Sequence, residues 1–292
     1  MFIDIHVHTR FTPVMPRKDG SNYASPDELE AFYKQAGIEK AVILPGSSGH
    51  KGQSMEELAH MSKTKYPWMI PFGNLDPVKV ENNAYGEGIE DTVKYLKDIG
   101  CKGIGEVTTN IWFDDPFMLN LFAACETHQM PLIFHVSVRP GYSYGIADDQ
   151  GLPRLELCLK LFKDLKFLGH SQAFWAEMGP ITSLQDRLGY PKGKITEEGR
   201  LPQLMRKYPN LCGDLSAGSG SNALMRDREY AAKFLTEFQD RLYFGTDICA
   251  TRNFEFAQNY CNFFIDMRDK GEISAEVFEK VARGNAIKLL GL

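Results

Sequence analysis

Eight short apolar runs, each followed by a stretch with helical periodicity, constrain this chain more than any other feature. The runs are FIDIHVH (2–8), KAVILPG (40–46), WMIPFGNLD (68–76), KGIGEVT (102–108), PLIFHVS (131–137), KFLGHS (166–171), NLCGDLS (210–216) and LYFGTD (242–247). Most are continuously apolar rather than alternating, which is how strands covered on both faces read. Between them lie amphipathic stretches over 26–36, 54–65, 88–99, 116–129, 152–163, 201–207, 223–238 and 253–270. In SPDELE, Ser25 is placed as an N-cap, Pro26 as the first helical residue and Glu28 three after the cap. SAEVFEK, from Ser274, starts a last helix in the same way. Strand–helix alternation implies parallel strands joined by right-handed crossovers. Eight repeats predict an α/β fold, the (β/α)8 TIM barrel. A doubly wound sheet would carry a glycine-rich nucleotide loop after its first strand; here that place reads HVHTRFTPVMPRKDG.

The 292 residues suit one barrel domain over 1–292, and an apolar content of 43% supports a sizeable core. No internal repeat or low-complexity linker interrupts the pattern. The longest irregular stretch is 172–200, a length that usually marks a functional loop or lid. The net charge of −5 carries no basic block, which argues against a nucleic-acid partner. No apolar stretch approaches the roughly 20 residues of a membrane span, and no basic segment with an apolar core marks a signal peptide. Six cysteines (101, 125, 158, 212, 249 and 261) form no CxxC pair and are expected as buried free thiols in a reducing cytosol. The expected setting is therefore cytoplasmic, with a small-molecule substrate, no nucleic acid and no membrane. A homo-oligomer is compatible with the sequence.

Chemistry in a parallel barrel gathers where the strands end. Those ends carry His6 and His8 on the first run, Glu106 on the fourth, His135 on the fifth, His170 on the sixth and Asp247 on the eighth. Four of the seven histidines thus fall at strand ends, while His50, His60 and His128 read as surface residues. A lone strand-end histidine is usually a hydrogen-bonded core residue. Six polar side chains buried together are costly unless something satisfies them, and a divalent metal does so. Strand side chains alternate, so His6 and His8 point to one side and reach one ion. Val7 is expected to pack, and Asp4 to support a histidine or start the strand. Imidazoles with a carboxylate suit zinc, manganese, iron or nickel.

Taken together and in this order, the motifs resemble the amidohydrolase superfamily. Within it they are most similar to the amidohydrolase-related branch (amidohydrolase 2), which includes small hydrolases, lactonases and the aminocarboxymuconate-semialdehyde decarboxylase type. The resemblance rests on DIHVH, FHV, LGHS, FGTD and the ending VARGNAIKLLGL, and it runs from end to end. It implies that His6, His8, His135 and Asp247 bind metal. It further implies that His170 binds a second metal, or holds the reactive water or a substrate oxygen, and that Asp247 doubles as general base. Zinc is the expected metal: one tightly held ion with a second site partly filled, because the branch is mostly mononuclear. Two features depart from it. Glu106, in GIGEV, stands where binuclear relatives often carry a carboxylated lysine, and resembles the metal-bridging glutamate of TatD-type deoxyribonucleases; its plain alternative is a carboxylate bonded to a loop. GTDICA lacks the proline that often follows the aspartate in the decarboxylase type.

The expected function is that of a metal-dependent hydrolase that activates water to cleave a C–O or C–N bond in a small anionic substrate. Asp247 would be the base, and His170 would hold the water or steady an oxyanion. The alternative is a metal-dependent non-oxidative decarboxylase of a small unsaturated or aromatic acid. DIHVHT also opens PHP-type phosphoesterases, but those close in Asp-x-His where this chain reads DIC. A non-catalytic metal- or carbohydrate-binding barrel fits poorly with an intact ligand set. Substrate contacts are expected from Arg139 in SVRPGYSYG, by a bidentate guanidinium clamp, from Tyr142 and Tyr144 beside it, and from Trp112 in TTNIWFDD. DLSAGSGSN after the seventh run offers backbone N–H groups to an anion, but lacks a helix-start lysine.

Overall fold

The computed structural model describes residues 1–46 and 53–292, so His50 lies outside the described residues. Each apolar run becomes a strand: β1 (Phe2–Val7), β2 (Ile38–Ile43), β3 (Met69–Pro71), β4 (Ile104–Val107), β5 (Leu132–Ser137), β6 (Phe167–His170), β7 (Leu211–Asp214) and β8 (Leu242–Tyr243). All neighbours pair in parallel, β1 to β3 in one sheet and β4 to β8 in the other, where a two-residue strand that no apolar run announced, Ile146–Ala147, also pairs with β5. Single bridges hold the two seams, Gly73 to Ile104 and Val7 to Ile248. Helices alternate with these strands in a (β/α)8 barrel.

Two apolar layers result from the strand pleat. Ile5, Val42, Phe72, Ile133, Leu168 and Cys212 belong to the cluster that fills the barrel. Residues of opposite parity, such as Ile43, Phe134 and Phe167, join helix residues Leu29, Phe122 and Phe264 in the outer layer. Leu168 is fully buried in the inner cluster. Leu168→Ala is expected to cost about 2–5 kcal/mol, as a buried leucine truncation with a residual cavity does. Urea unfolding with an unchanged midpoint would show that the interior collapses onto the gap.

Helix starts follow the local chemistry. The helix α1 (Pro26–Ala36) has the full capping box, with the Ser25 side chain accepting from the Glu28 backbone N–H and Glu28 answering the Ser25 N–H; it stops at Gly37, whose φ of 72° a side chain would resist. Two expectations are corrected. The stretch 223–238 is broken into Ala217–Met225 and Arg228–Glu237, because the Asp227 side chain accepts the Tyr230 N–H and caps a new helix. The stretch 172–200 is also not structureless: it holds Gln172–Trp175, a 3-10 turn over Ala176–Met178, and Leu184–Leu188. Segments of three to five residues are too short to show helical periodicity.

One irregularity in β1 positions the site. Asp4 pairs with Ala41 and Val7 with Ile43, so Ile5 and His6 together oppose the single residue Val42. This is a β-bulge. Ile5 therefore joins the inner cluster while Val7 joins the outer layer, and His6 turns inward above Ile5. No helix among the described residues is long and apolar enough to cross a membrane. All six cysteines are free thiols, five of them buried and Cys249 half-buried.

Candidate active site

Side chains from six strand ends meet at one mouth of the barrel. His6 is fully buried, and its Nδ1 lies 2.6 Å from Asp214 Oδ2. Its Nε2 points the other way, 3.1 Å from His8 Nε2 and 3.6 Å from Asp247 Oδ1. His8 Nδ1 lies 2.9 Å from the Leu44 carbonyl, which can only accept, so the proton sits on Nδ1 and the Nε2 lone pair faces the cluster. His8 Nε2 is 3.4 Å from Asp247 Oδ1. Glu106 spans the middle: Oε2 is 3.9 Å from His6 Nε2 and 3.8 Å from His8 Nε2, and Oε1 is 4.0 Å from His170 Nε2. His170 Nδ1 is 3.0 Å from Ser216 Oγ and 3.3 Å from Asp214 Oδ2.

Ligand atoms fall into three groups, each within 4.8 Å: His6, His8 and Glu106; His6, His170 and Asp247; and Glu106, His135 and His170. His135 thus stands with Glu106 and His170 rather than with His8, as expected for one shared ion. The reason is topological: His135 and His170 are register partners on adjacent β5 and β6, and Glu106 stands on β4, the other barrel neighbour of β5. His60 lies on the exposed face of its helix, and His128 pairs with Glu90 at 3.4 Å, both away from the mouth.

The electrostatics depend on paired charges. Burial disfavours the His6 imidazolium, but Asp214, Asp247 and Glu106 outweigh it and push its pKa up to about 10. Burial would also raise Asp214 and Asp247. Instead His6 and His170 hold Asp214 far below the carboxylate range, and His6 with His8 hold Asp247 at about 2. Burial pushes His135 down to about 4, so it is neutral, and its Nδ1 is buried without a hydrogen-bond partner.

This donor set fits a divalent cation. With Asp214 on its Nδ1, His6 turns Nε2 toward His8, and the surrounding carboxylates keep a proton there until a cation replaces it. Two lone pairs 3.1 Å apart repel unless a proton or a cation lies between them. Neutral imidazoles and ionised carboxylates are what such an ion takes.

Two supporting residues carry the geometry: Asp4, expected from the sequence to support a histidine or to start the strand, and Asp214, to which the sequence assigned no role. Asp214, fully buried, fixes both His6 and His170 from the end of β7. It is itself held by the Ser216 N–H at 3.0 Å, while the Trp175 indole N–H donates to its carbonyl at 2.9 Å. A carboxylate at a seventh strand end was the available signal. Asp4 accepts the His6 N–H at 3.1 Å, the Thr246 N–H at 2.9 Å and the Tyr33 hydroxyl at 2.8 Å. It thereby ties β1 to the turn that presents Asp247, whose φ of 55° is left-handed. Aspartate tolerates that region better than most residues.

A cavity of about 520 Å³ opens over the cluster; Glu106, Asp247 and His8 form its floor, and Arg10, Arg17, Tyr23 and Tyr144 form its walls. Arg139, Tyr142 and Trp112, expected at the substrate, do not line it. Arg139 is exposed, with its guanidinium 4.9 Å over the half-exposed Tyr142 ring, because the turn at Gly141 (φ 76°) carries both outward. Trp112 is covered by Arg154, whose guanidinium lies 4.1 Å from the ring. Tyr144 does reach the cavity, its ring 4.2 Å from that of His135.

A family model described as Amidohydrolase matches residues 3–292. An amidohydrolase from Burkholderia multivorans with bound zinc superposes with a TM-score of 0.62 at 13% identity, covering 100% of this chain and 99% of that one. A probable 2-pyrone-4,6-dicarboxylic acid hydrolase from Acinetobacter baumannii, with citric acid bound, gives 0.57 at 12% identity, covering 100% and 99%. A 5-carboxyvanillate decarboxylase from Novosphingobium aromaticivorans, complexed with manganese and 4-hydroxy-3-methoxy-5-nitrobenzoic acid, gives 0.57 at 16% identity, covering 90% and 79%. A search of curated proteins finds no significant match.

Proposed function

Because this chain belongs to the amidohydrolase family over residues 3–292, we propose that it is a metal-dependent hydrolase that uses water to cleave a C–O or C–N bond in a small anionic substrate. The observation that carries this reading is Asp247: its carboxylate lies within 3.6 Å of two imidazoles, yet its side chain keeps 30% of its surface open, on the cavity floor. His6, His8, Glu106 and Asp247 would hold one divalent cation, and Glu106, His135 and His170 a second. The chemistry such a cation supplies is Lewis acidity toward a substrate oxygen and a lowered pKa for a neighbouring water. The Asp247 carboxylate takes the proton from the attacking water and returns it to the leaving oxygen or nitrogen. Asp214 keeps the His6 and His170 rings oriented while charge moves across the floor. An anionic acceptor at Nδ1 leaves His170 a lone pair at Nε2, which suits a ligand better than a donor to an oxyanion. Zinc in the Burkholderia relative supports zinc here, and manganese in the decarboxylase supports the runner-up.

The shared position of Glu106 favours two ions over the single ion with a partly filled second site inferred from the family branch. Titrating zinc into chelator-stripped protein is expected to restore activity only as two equivalents bind, and Glu106→Gln to reduce stoichiometry to one with activity lost. Full activity at one equivalent would return the site to a mononuclear reading. A panel of lactones, esters and amides tests the reaction. Likeness to a decarboxylase supports the second reading, decarboxylation, and carbon dioxide release without hydrolysis would establish it in place of the first.

A further inference from the structure

The loop from β1 to α1, residues 8–25, puts two guanidinium groups on the wall of an otherwise acidic cavity. Arg10 and Arg17 stack on one ring, with their Cζ atoms 4.3 and 4.6 Å from the centre of Tyr23. Arg17 Nη2 donates to the Cys249 carbonyl at 3.2 Å, and its Nη1 is buried without an acceptor. Among the described residues no carboxylate lies within 4.0 Å of Arg17; the acid of its own turn, Asp19, pairs with Arg252 instead. Arg10 Nη1 donates to the Thr9 carbonyl at 2.6 Å and to Gln53 Oε1 at 3.0 Å, which fixes its direction.

The loop is built to hold this arrangement. Arg17 and Ser21 close a turn at 2.9 Å, Asn22 Nδ2 donates to the Val14 carbonyl at 2.7 Å, and Thr9 Oγ1 donates to the Ala24 carbonyl at 2.6 Å. Arg252 and the Cys249 carbonyl tether the loop to the segment after β8, next to Asp247. Floor and wall therefore differ in sign: carboxylates and imidazoles below, an arginine pair on an aromatic ring beside them.

We infer that Arg17, with Arg10 and Tyr23, forms a carboxylate-recognition subsite that orients the substrate, so that the bond to be cleaved lies over Asp247. The inference rests on reading this cavity as the substrate pocket. A planar carboxylate matches the guanidinium fork, and Tyr23 holds both arginines in place. The substrate class is a small molecule bearing a carboxylate at one end and the reacting carbonyl at the other.

Calorimetric titration of glutarate and of neutral glutaramide tests this, using wild type, Arg17→Met and Arg17→Lys in zinc-loaded and chelator-stripped forms. Wild type is expected to prefer glutarate in both forms. Arg17→Met should lose about tenfold or more of that preference, as expected for a charged hydrogen bond. Arg17→Lys should lose part of it, because charge stays while the fork is lost, and it supplies the reading should Arg17→Met not fold. An undiminished preference in both variants, or a preference confined to zinc-loaded protein, would overturn the subsite; the latter would place the carboxylate on the metal. Inorganic phosphate displacing glutarate at equal concentration would overturn the carboxylate assignment. Turnover is measured separately. An Arg17-dependent preference in a protein that hydrolyses nothing in the panel supports the subsite and defeats the hydrolase reading. Hydrolysis with no Arg17 dependence does the reverse.

Discussion

Asp247→Asn is expected to lower kcat by about 10²–10⁴, the usual weight of a positioned general base, with the fold intact. Its backbone N–H still donates to the His6 carbonyl at 2.8 Å, and asparagine accepts the left-handed φ of 55° as readily as aspartate. What is lost is the carboxylate facing His6 and His8 at 3.6 and 3.4 Å, and with it the proton acceptor over the floor. The amide cannot take a proton from water near neutral pH. The measurement is kcat on variant protein with its metal content determined alongside, so that loss of base and loss of ligand are told apart. Near-wild-type turnover in fully loaded Asp247→Asn protein would remove Asp247 from the proton transfer.

Asp214→Asn is expected to weaken metal binding by about 10–100-fold, the range seen when a group that orients ligating histidines is removed. Asp214 does not line the cavity over the cluster, yet it receives His6 Nδ1 at 2.6 Å and lies 3.3 Å from His170 Nδ1. It therefore sets which nitrogen of each ring carries the proton and which faces the cluster. An asparagine of the same shape cannot supply the charge, and one of its two possible orientations turns an N–H against an N–H. Competition with a chromophoric chelator reads the affinity, and circular dichroism checks the fold. Native affinity in a natively folded variant would reduce Asp214 to packing.

The strand runs were legible because strands covered on both faces must be apolar along their length, and the α1 cap because Ser, Pro and Glu act within four residues of one another. His6, His8, Glu106, His135, His170 and Asp247 were legible because polar residues at the ends of such runs need partners. Asp214 also ends a run, but it was read as the start of a glycine- and serine-rich loop. Its partners, His6 and His170, lie 208 and 44 residues away, and no local pattern records them. The arginines show the same limit: Arg139 and Arg17 are alike in sequence, and only the path of each loop decides which one faces the cavity.

By itself the sequence determined the number and order of the barrel strands, the start of α1, and the set of polar residues at the strand ends, since each depends on periodicity or on contacts within a few residues. Tertiary structure alone decided the rest. The bulge that brings Ile5 and His6 to one side exists only against Val42. The division of ligands into groups sharing Glu106 follows from which strands are neighbours in the barrel. The arginine wall follows from a loop tethered across the seam to the segment after β8. Each of these is a relation between residues distant in the chain, set by packing and by the pairing of buried charges, and so it appears only when the barrel closes around them.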